Sequence, residues 1–154
     1  MKIVIVDDEP KIRNGLSKLL SSRPGFEITG VFENAIEALE QLSVSYADVI
    51  ITDIKMPEIN GLDLINRIRE KDENTKIIIL SGYSDFSFAQ RAIELGVTRY
   101  LTKPTNAREL IGILEEIEKN IQKPRREEKQ EMKVTNLFVQ KAMDYISMNY
   151  SQKL

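Results

Sequence analysis

The sequence predicts an α/β fold: a doubly wound, five-stranded parallel sheet in the strand order 2-1-3-4-5, followed by a C-terminal helical extension. Three observations predict it. Short apolar runs rich in Ile and Val recur along the first two thirds of the chain. Helical apolar periodicity fills the stretches between them. The runs around residues 3, 49 and 77 are nearly continuous in Val, Ile and Leu, as strands covered on both faces require. Strand and helix alternate five times, and right-handed crossovers then place helices on both faces of one sheet.

The elements follow in order. Strand cores are read at Ile3–Val6, Ile28–Val31, Val49–Ile51, Ile77–Leu80 and Tyr100–Leu101. Helices are expected at about 11–22, 34–44, 61–71, 86–95 and 106–122. Ile12, Leu16, Leu19 and Leu20 share one face of the first helix, Ala35, Leu39 and Leu42 one face of the second, and Leu62, Ile65 and Ile68 one face of the third. Gly96 stops the fourth helix, and Pro104 stands just before the fifth. No repeat of fixed period is visible.

Composition narrows the function. The chain has 154 residues, enough for one domain and a remainder. With 42% hydrophobic and 30% charged residues it reads as globular. A net charge of -2 gives no sign of a whole-domain nucleic-acid or membrane-surface binder. Cysteine and histidine are both absent, which excludes disulfides, a cysteine nucleophile, a serine triad and most zinc sites. No apolar run approaches the length of a membrane span, and a cytoplasmic protein is expected. Residues 1–122 form the first domain in this reading. Residues 123–133 (KPRREEKQEMK) are a charged linker, and apolar residues return over 134–154.

In such a sheet, ligands bind beyond the carboxyl ends of the strands where the strand order reverses. Asp7 and Asp8 follow the first strand, Asp53 ends the third, Ser81 ends the fourth and Lys103 follows the fifth. The three aspartates should converge at the reversal point, with Ser81 and Lys103 approaching from one side. Three carboxylates in one crevice repel each other and call for a hard divalent cation such as Mg²⁺. A carboxylate can also act as a nucleophile and form an aspartyl phosphate, for which Lys103 and Ser81 would supply charge and a hydroxyl donor. Taken singly, these residues are equally well turn residues, helix caps or surface lysines.

Taken together they carry a resemblance. VDDE (6–9), DIKMPEINGLDL (53–64), LSGYSD (80–85) and YLTKP (100–104) are similar to the four signature segments of response-regulator receivers of bacterial two-component systems. The resemblance covers residues 1 to about 122 and implies the flavodoxin-like form of the sheet. It implies that Asp53 is the phosphoacceptor for a sensor histidine kinase. Asp8, Asp53 and the Lys55 backbone carbonyl would ligate Mg²⁺, and Asp7 would hold metal-bound water. Ser81 and Tyr100 would be the switch residues, Lys103 the phosphoryl-binding cation, and Lys103-Pro104 a cis peptide with Pro104 as its cis-proline. Such a protein is no enzyme acting on a separate substrate. It is a phosphoacceptor that catalyses its own phosphorylation. Lys55 and Tyr83, at the rim, should crowd an in-line water and slow self-dephosphorylation. A homodimer on phosphorylation, formed through the fourth helix, fifth strand and fifth helix, is the expected readout.

Three rival readings compete with this one. A haloacid-dehalogenase-type phosphatase needs Asp-x-Asp after the first strand, and Glu9 and Pro10 break that pattern. A flavin carrier needs a hydroxyl- and glycine-rich phosphate cradle there. A receiver-like interaction module acting without phosphorylation need not keep all the site residues, yet all are present. At the other end, FVQKAMDYISMNY (138–150) resembles the first helix of AraC-type helix-turn-helix domains, and GYSDFSFAQRAIELGV (82–97) resembles the receivers that carry them, as in YesN-like regulators. On that reading 134–154 begins a truncated DNA-binding domain, DNA is bound only through its remainder, and the parent protein regulates transcription.

Overall fold

The computed structural model describes residues 1–82 and 86–121. The expectations for Tyr83, the 123–133 linker and the 134–154 helix lie outside these residues. Among the described residues the chain alternates strictly: β1 (Lys2–Val6), α1 (Pro10–Ser21), β2 (Glu27–Phe32), α2 (Ala35–Leu42), β3 (Val49–Thr52), α3 (Gly61–Arg69), β4 (Lys76–Ser81), α4 (Phe86–Glu94), β5 (Arg99–Thr102) and α5 (Ala107–Ile121). The strands form one parallel sheet in the order β2-β1-β3-β4-β5, as the sequence predicts. The chain divides into a unit at Met1–Ile113 and a second that begins at Leu114. In the first, α5 buries Leu110 and Ile113; in the second, it buries Leu114 and Ile117.

The central strands are apolar throughout because each side chain has cover on its own face. Val4, Val6, Ile50, Ile77 and Ile79 point to one face, where they pack with Ala35, Ala38, Leu64, Ile65, Ile68 and Ala92 of α2, α3 and α4. The alternate residues Ile3, Ile5, Ile51, Ile78 and Leu80 are buried on the other face. β5 stands at one edge and keeps only partial cover, as its mixed sequence allows.

Local chemistry sets the helix ends. Pro10 opens α1, where its missing N–H costs nothing. The side chains of Asn34 and Asn60 accept from the N–H groups of Glu37 and Asp63, each 2.8 Å away, and cap α2 and α3. α4 ends at Gly96, whose φ of +70° is the left-handed conformation expected there. The Gly96 N–H donates to Ile93 O and the Val97 N–H to Ala92 O, closing the helix. α1 departs from its apolar stripe: only Leu20 is fully buried, while Ile12, Leu16 and Leu19 remain partly exposed. Ile12 and Leu16 border a shallow groove shared with Leu80, Pro104 and Thr105. No helix among the described residues is long and apolar enough to cross a membrane.

Candidate functional site

β1 and β3 are neighbours at the point where the strand order reverses, and their register pairs Val6 with Thr52. The Asp53 N–H donates to Val6 O at 3.0 Å, which carries the ladder one step further. Asp53 therefore stands beside Asp7. Asp7, Asp8 and Asp53 each present a carboxylate oxygen, and these oxygens lie within 4.8 Å of one another. Asp7 and Asp53 are buried, with 2% and 5% exposure, and Asp8 is exposed.

Lys103 enters from the far edge of the sheet. Its N–H donates to Ser81 O at 2.7 Å, extending the pairing of β4 with β5. The Lys103–Pro104 peptide bond is cis. The Lys103 ammonium donates to Glu9 Oε1 at 2.8 Å, Asp7 Oδ2 at 2.9 Å and Asp53 Oδ2 at 3.1 Å. The second oxygen of each buried acid is held by the backbone: Asp7 Oδ1 accepts from the Glu9 N–H at 2.8 Å and Asp53 Oδ1 from the Ile54 N–H at 2.7 Å.

These contacts set the charge states. Burial pushes the Asp7 carboxyl above its ordinary value, while the Glu9 N–H and Lys103 pull it part of the way back. Burial alone would lower Lys103, but the carboxylates of Glu9, Asp7 and Asp53 outweigh it and hold the ammonium above the ordinary lysine range. Lys103 is a fixed cation at any physiological pH.

The remaining expected site residues are placed around this centre. Ser81 is fully buried at the end of β4, opposite Thr102. Tyr100 is partly buried on β5 and packs against the α2–α4 core. The Lys55 ammonium lies 5.7 Å from the ring centroid of Phe88 in α4. Asp8, Glu9, Ile12, Lys55, Gly82 and Pro104 surround the mouth. The carboxylate set offers only hard oxygen donors, which suits Mg²⁺ better than a softer metal.

Three contributors were not assigned from the sequence. Glu9 is one of the three partners of the Lys103 ammonium. The Arg13 guanidinium donates to Asp7 O at 2.8 Å and steadies the turn after β1. Gly61 packs against the Asp53 backbone, and its N–H donates to Ile54 O at 2.7 Å. A Cβ at Gly61 would lie 1.9 Å from Asp53 O. The Asn60-Gly61 pair was visible as a turn signal, but its purpose depends on this close approach.

Comparisons with known proteins agree with this geometry. The model of the response regulator receiver domain family matches residues 3–115. YesN of Bacillus subtilis, an uncharacterized transcriptional regulatory protein, is 36% identical over 117 residues, covering 75% of this chain and 32% of the relative. The transcriptional regulatory protein HptR of Staphylococcus aureus is 39% identical over 114 residues, covering 73% of this chain and 44% of HptR. The chain thus spans about a third to a half of the curated relatives it matches. Among solved structures, the REC domain of AraT, a response regulator from Geobacillus stearothermophilus, is 34% identical with a TM-score of 0.69, covering 84% of this chain and 97% of that one. The signal receiver domain of an HD domain-containing protein from Pseudomonas fluorescens is 30% identical with a TM-score of 0.72, covering 77% and 94%. The three converging aspartates, the lysine that reaches them from the last strand, and these matches have one common meaning: the chain belongs to the response regulator receiver domain family.

Proposed function

We propose that this protein is the phosphorylation-dependent input of a two-component transcriptional regulator, with Asp53 as phosphoacceptor. The observation that carries the reading is the contact of Lys103 with Asp53 Oδ2 at 3.1 Å, inside a cluster of three carboxylates. Asp53 Oδ1 is held by the Ile54 N–H, so Oδ2 is the oxygen aimed at the mouth's cation.

The donor is the phosphorylated imidazole of a sensor histidine kinase. Asp53 Oδ2 attacks phosphorus, the P–N bond breaks, and its electron pair leaves on the nitrogen, which takes up a proton. Lys103 stabilises the charge on the transferring oxygens. Asp8, Asp53 and the Lys55 carbonyl would hold Mg²⁺, with Asp7 holding metal-bound water; when bound, the ion neutralises phosphoryl charge. Ser81 then donates its hydroxyl to the phosphoryl group, and Tyr100 turns inward behind it. The protein catalyses its own phosphorylation and loses the group slowly. Lys55 and Tyr83 crowd the attacking water in this reading.

The output is a homodimer built on α4, β5 and α5. It drives transcription through an AraC-type DNA-binding domain that begins within 134–154, after the receiver (1–122) and linker (123–133). Relatives named as transcriptional regulators support this output and, with it, a place in the cytoplasm beside the transcription machinery. The test is mass spectrometry after mixing with a small-molecule phosphodonor and Mg²⁺. One phosphoryl group is expected on Asp53 and none on Asp53→Asn, whose amide is neither nucleophile nor anionic ligand. An unlabelled wild-type protein would favour an interaction module that acts without phosphorylation.

A further inference from the structure

The Lys103 ammonium has three N–H donors and three carboxylate acceptors, at Glu9, Asp7 and Asp53. These acceptors are not equivalent. The side chains of Asp7 and Asp53 are 3% and 7% exposed, and each is pinned by a backbone N–H. The Glu9 side chain is 58% exposed, and among the described residues its carboxylate has Lys103 as its one hydrogen-bond partner. Glu9 makes the shortest of the three contacts and is also the acceptor most easily replaced by water.

Phosphorylation of Asp53 changes what Lys103 must do. The bridging oxygen of the acyl phosphate no longer accepts as a carboxylate does, and the phosphoryl oxygens that replace it are stronger acceptors. The donor freed at Asp53 serves one of them. Any second donor has to come from Asp7 or Glu9, and Glu9 is the one that solvent can replace at once, with 58% of its side chain exposed against 3% for Asp7. Resting on the phosphoacceptor reading above, we propose that Glu9 is a positioning residue. It holds Lys103 in the unphosphorylated arrangement and competes with the aspartyl phosphate for its ammonium. Glu9 thereby weakens the phosphorylated state and keeps the resting protein off.

The pair is largely exposed on its Glu9 side, so the effect is modest: about two- to five-fold in affinity for a phosphoryl mimic, within the range of exposed ion pairs. The experiment titrates wild type and Glu9→Gln with beryllofluoride and Mg²⁺ and records the ¹⁵Nζ resonance of Lys103 in both free proteins. Glu9→Gln removes an exposed charge and keeps the length of the side chain. Tighter beryllofluoride binding, together with a Lys103 resonance already displaced toward its mimic-bound position, is expected. Unchanged affinity overturns the proposal. So does a gain in affinity with an unmoved Lys103 resonance, because Glu9 would then act as a repulsive charge and not through Lys103. A wild-type protein that binds no beryllofluoride at Asp53 overturns the phosphoacceptor reading as well, whereas binding unaffected by Glu9→Gln removes only the role of Glu9.

Discussion

Gly61 meets the backbone of Asp53 so closely that a methyl group there would stand 1.9 Å from the Asp53 carbonyl oxygen, which is backbone and cannot swing aside. Gly61→Ala must therefore displace either the start of α3 or Asp53 itself. A loss of about 1–3 kcal/mol is expected in urea unfolding, with slower labelling of Asp53 by a phosphodonor. Gly15 is the control, since a Cβ there meets nothing within 4 Å. Gly15→Ala should stabilise α1 by about 0.5–1 kcal/mol. Asp7 makes a prediction with a pH sign. Burial raises its folded pKa above the ordinary aspartate value. The folded state then favours the protonated acid, so ionisation costs stability once the pH climbs above the unfolded value. Asp7→Asn, without divalent cation, should raise the melting temperature by a few degrees at pH 7. That gain should fade as the pH falls toward and below the unfolded value, where the wild-type acid is protonated in both states. A gain that grew on acidification would contradict it. Asp7, Asp8, Asp53 and Lys103 were legible because a doubly wound sheet gathers strand ends at one place. Glu9 was not, because an acid just before a helix reads as an ordinary N-terminal residue of α1, and only the fold shows that its carboxylate turns to Lys103. Lys55 was read as a steric rim residue, and its ammonium turns to Phe88, which spacing along the chain could not show.

Among the elements, α4 is held most firmly at its C-terminal end. Gly96 closes the helix, and Arg69 of α3 adds a second fastening. Its guanidinium donates to Leu95 O at 2.9 Å, Gly96 O at 3.1 Å and Asp72 O at 3.2 Å. Burial pulls the Arg69 pKa down, against the opposing pull of Asp72 and Glu73, yet an arginine stays charged. Arg69→Gln should cost about 1–2 kcal/mol. It should also speed hydrogen exchange at the amides of Leu95, Gly96 and Val97, and exchange there that matched wild type would remove Arg69 as the fastening. All ten elements were legible, with no end displaced by more than two residues, because Ile/Val runs and helical stripes alternate so cleanly. The half-exposed face of α1 was not. Periodicity identifies which residues face inward but not how much sheet lies beneath them.

For the whole molecule, the proposed dimer needs a surface to form on. α4 exposes Phe86 at 78% and Ile93 at 71%, large apolar side chains seven positions apart on one face. Serine at both positions should leave Asp53 labelling unchanged and reduce self-association of the mimic-bound protein, measured by sedimentation. Undiminished association would move the interface elsewhere. Strand order was legible at this scale because right-handed crossovers and the convergence of chemistry at one strand reversal leave few arrangements. The exposed pair on α4 was not recognised. An apolar residue outside the inward stripe cannot be told from a core residue until the helix is seen in place.

The reach of Lys103 to Asp7 and Asp53 spans 96 and 50 residues of chain. The aspartate is therefore made long before its ammonium. A ribosome adding about 5–20 residues per second leaves roughly 3–10 s between them. During that interval the nascent protein would carry the proposed acceptor without the ammonium that steadies a transferred group. A chain stalled, cleaved or degraded back past the fifth strand returns to that condition. On the phosphoacceptor reading, competence to receive the signal would be acquired only when synthesis has passed the last strand.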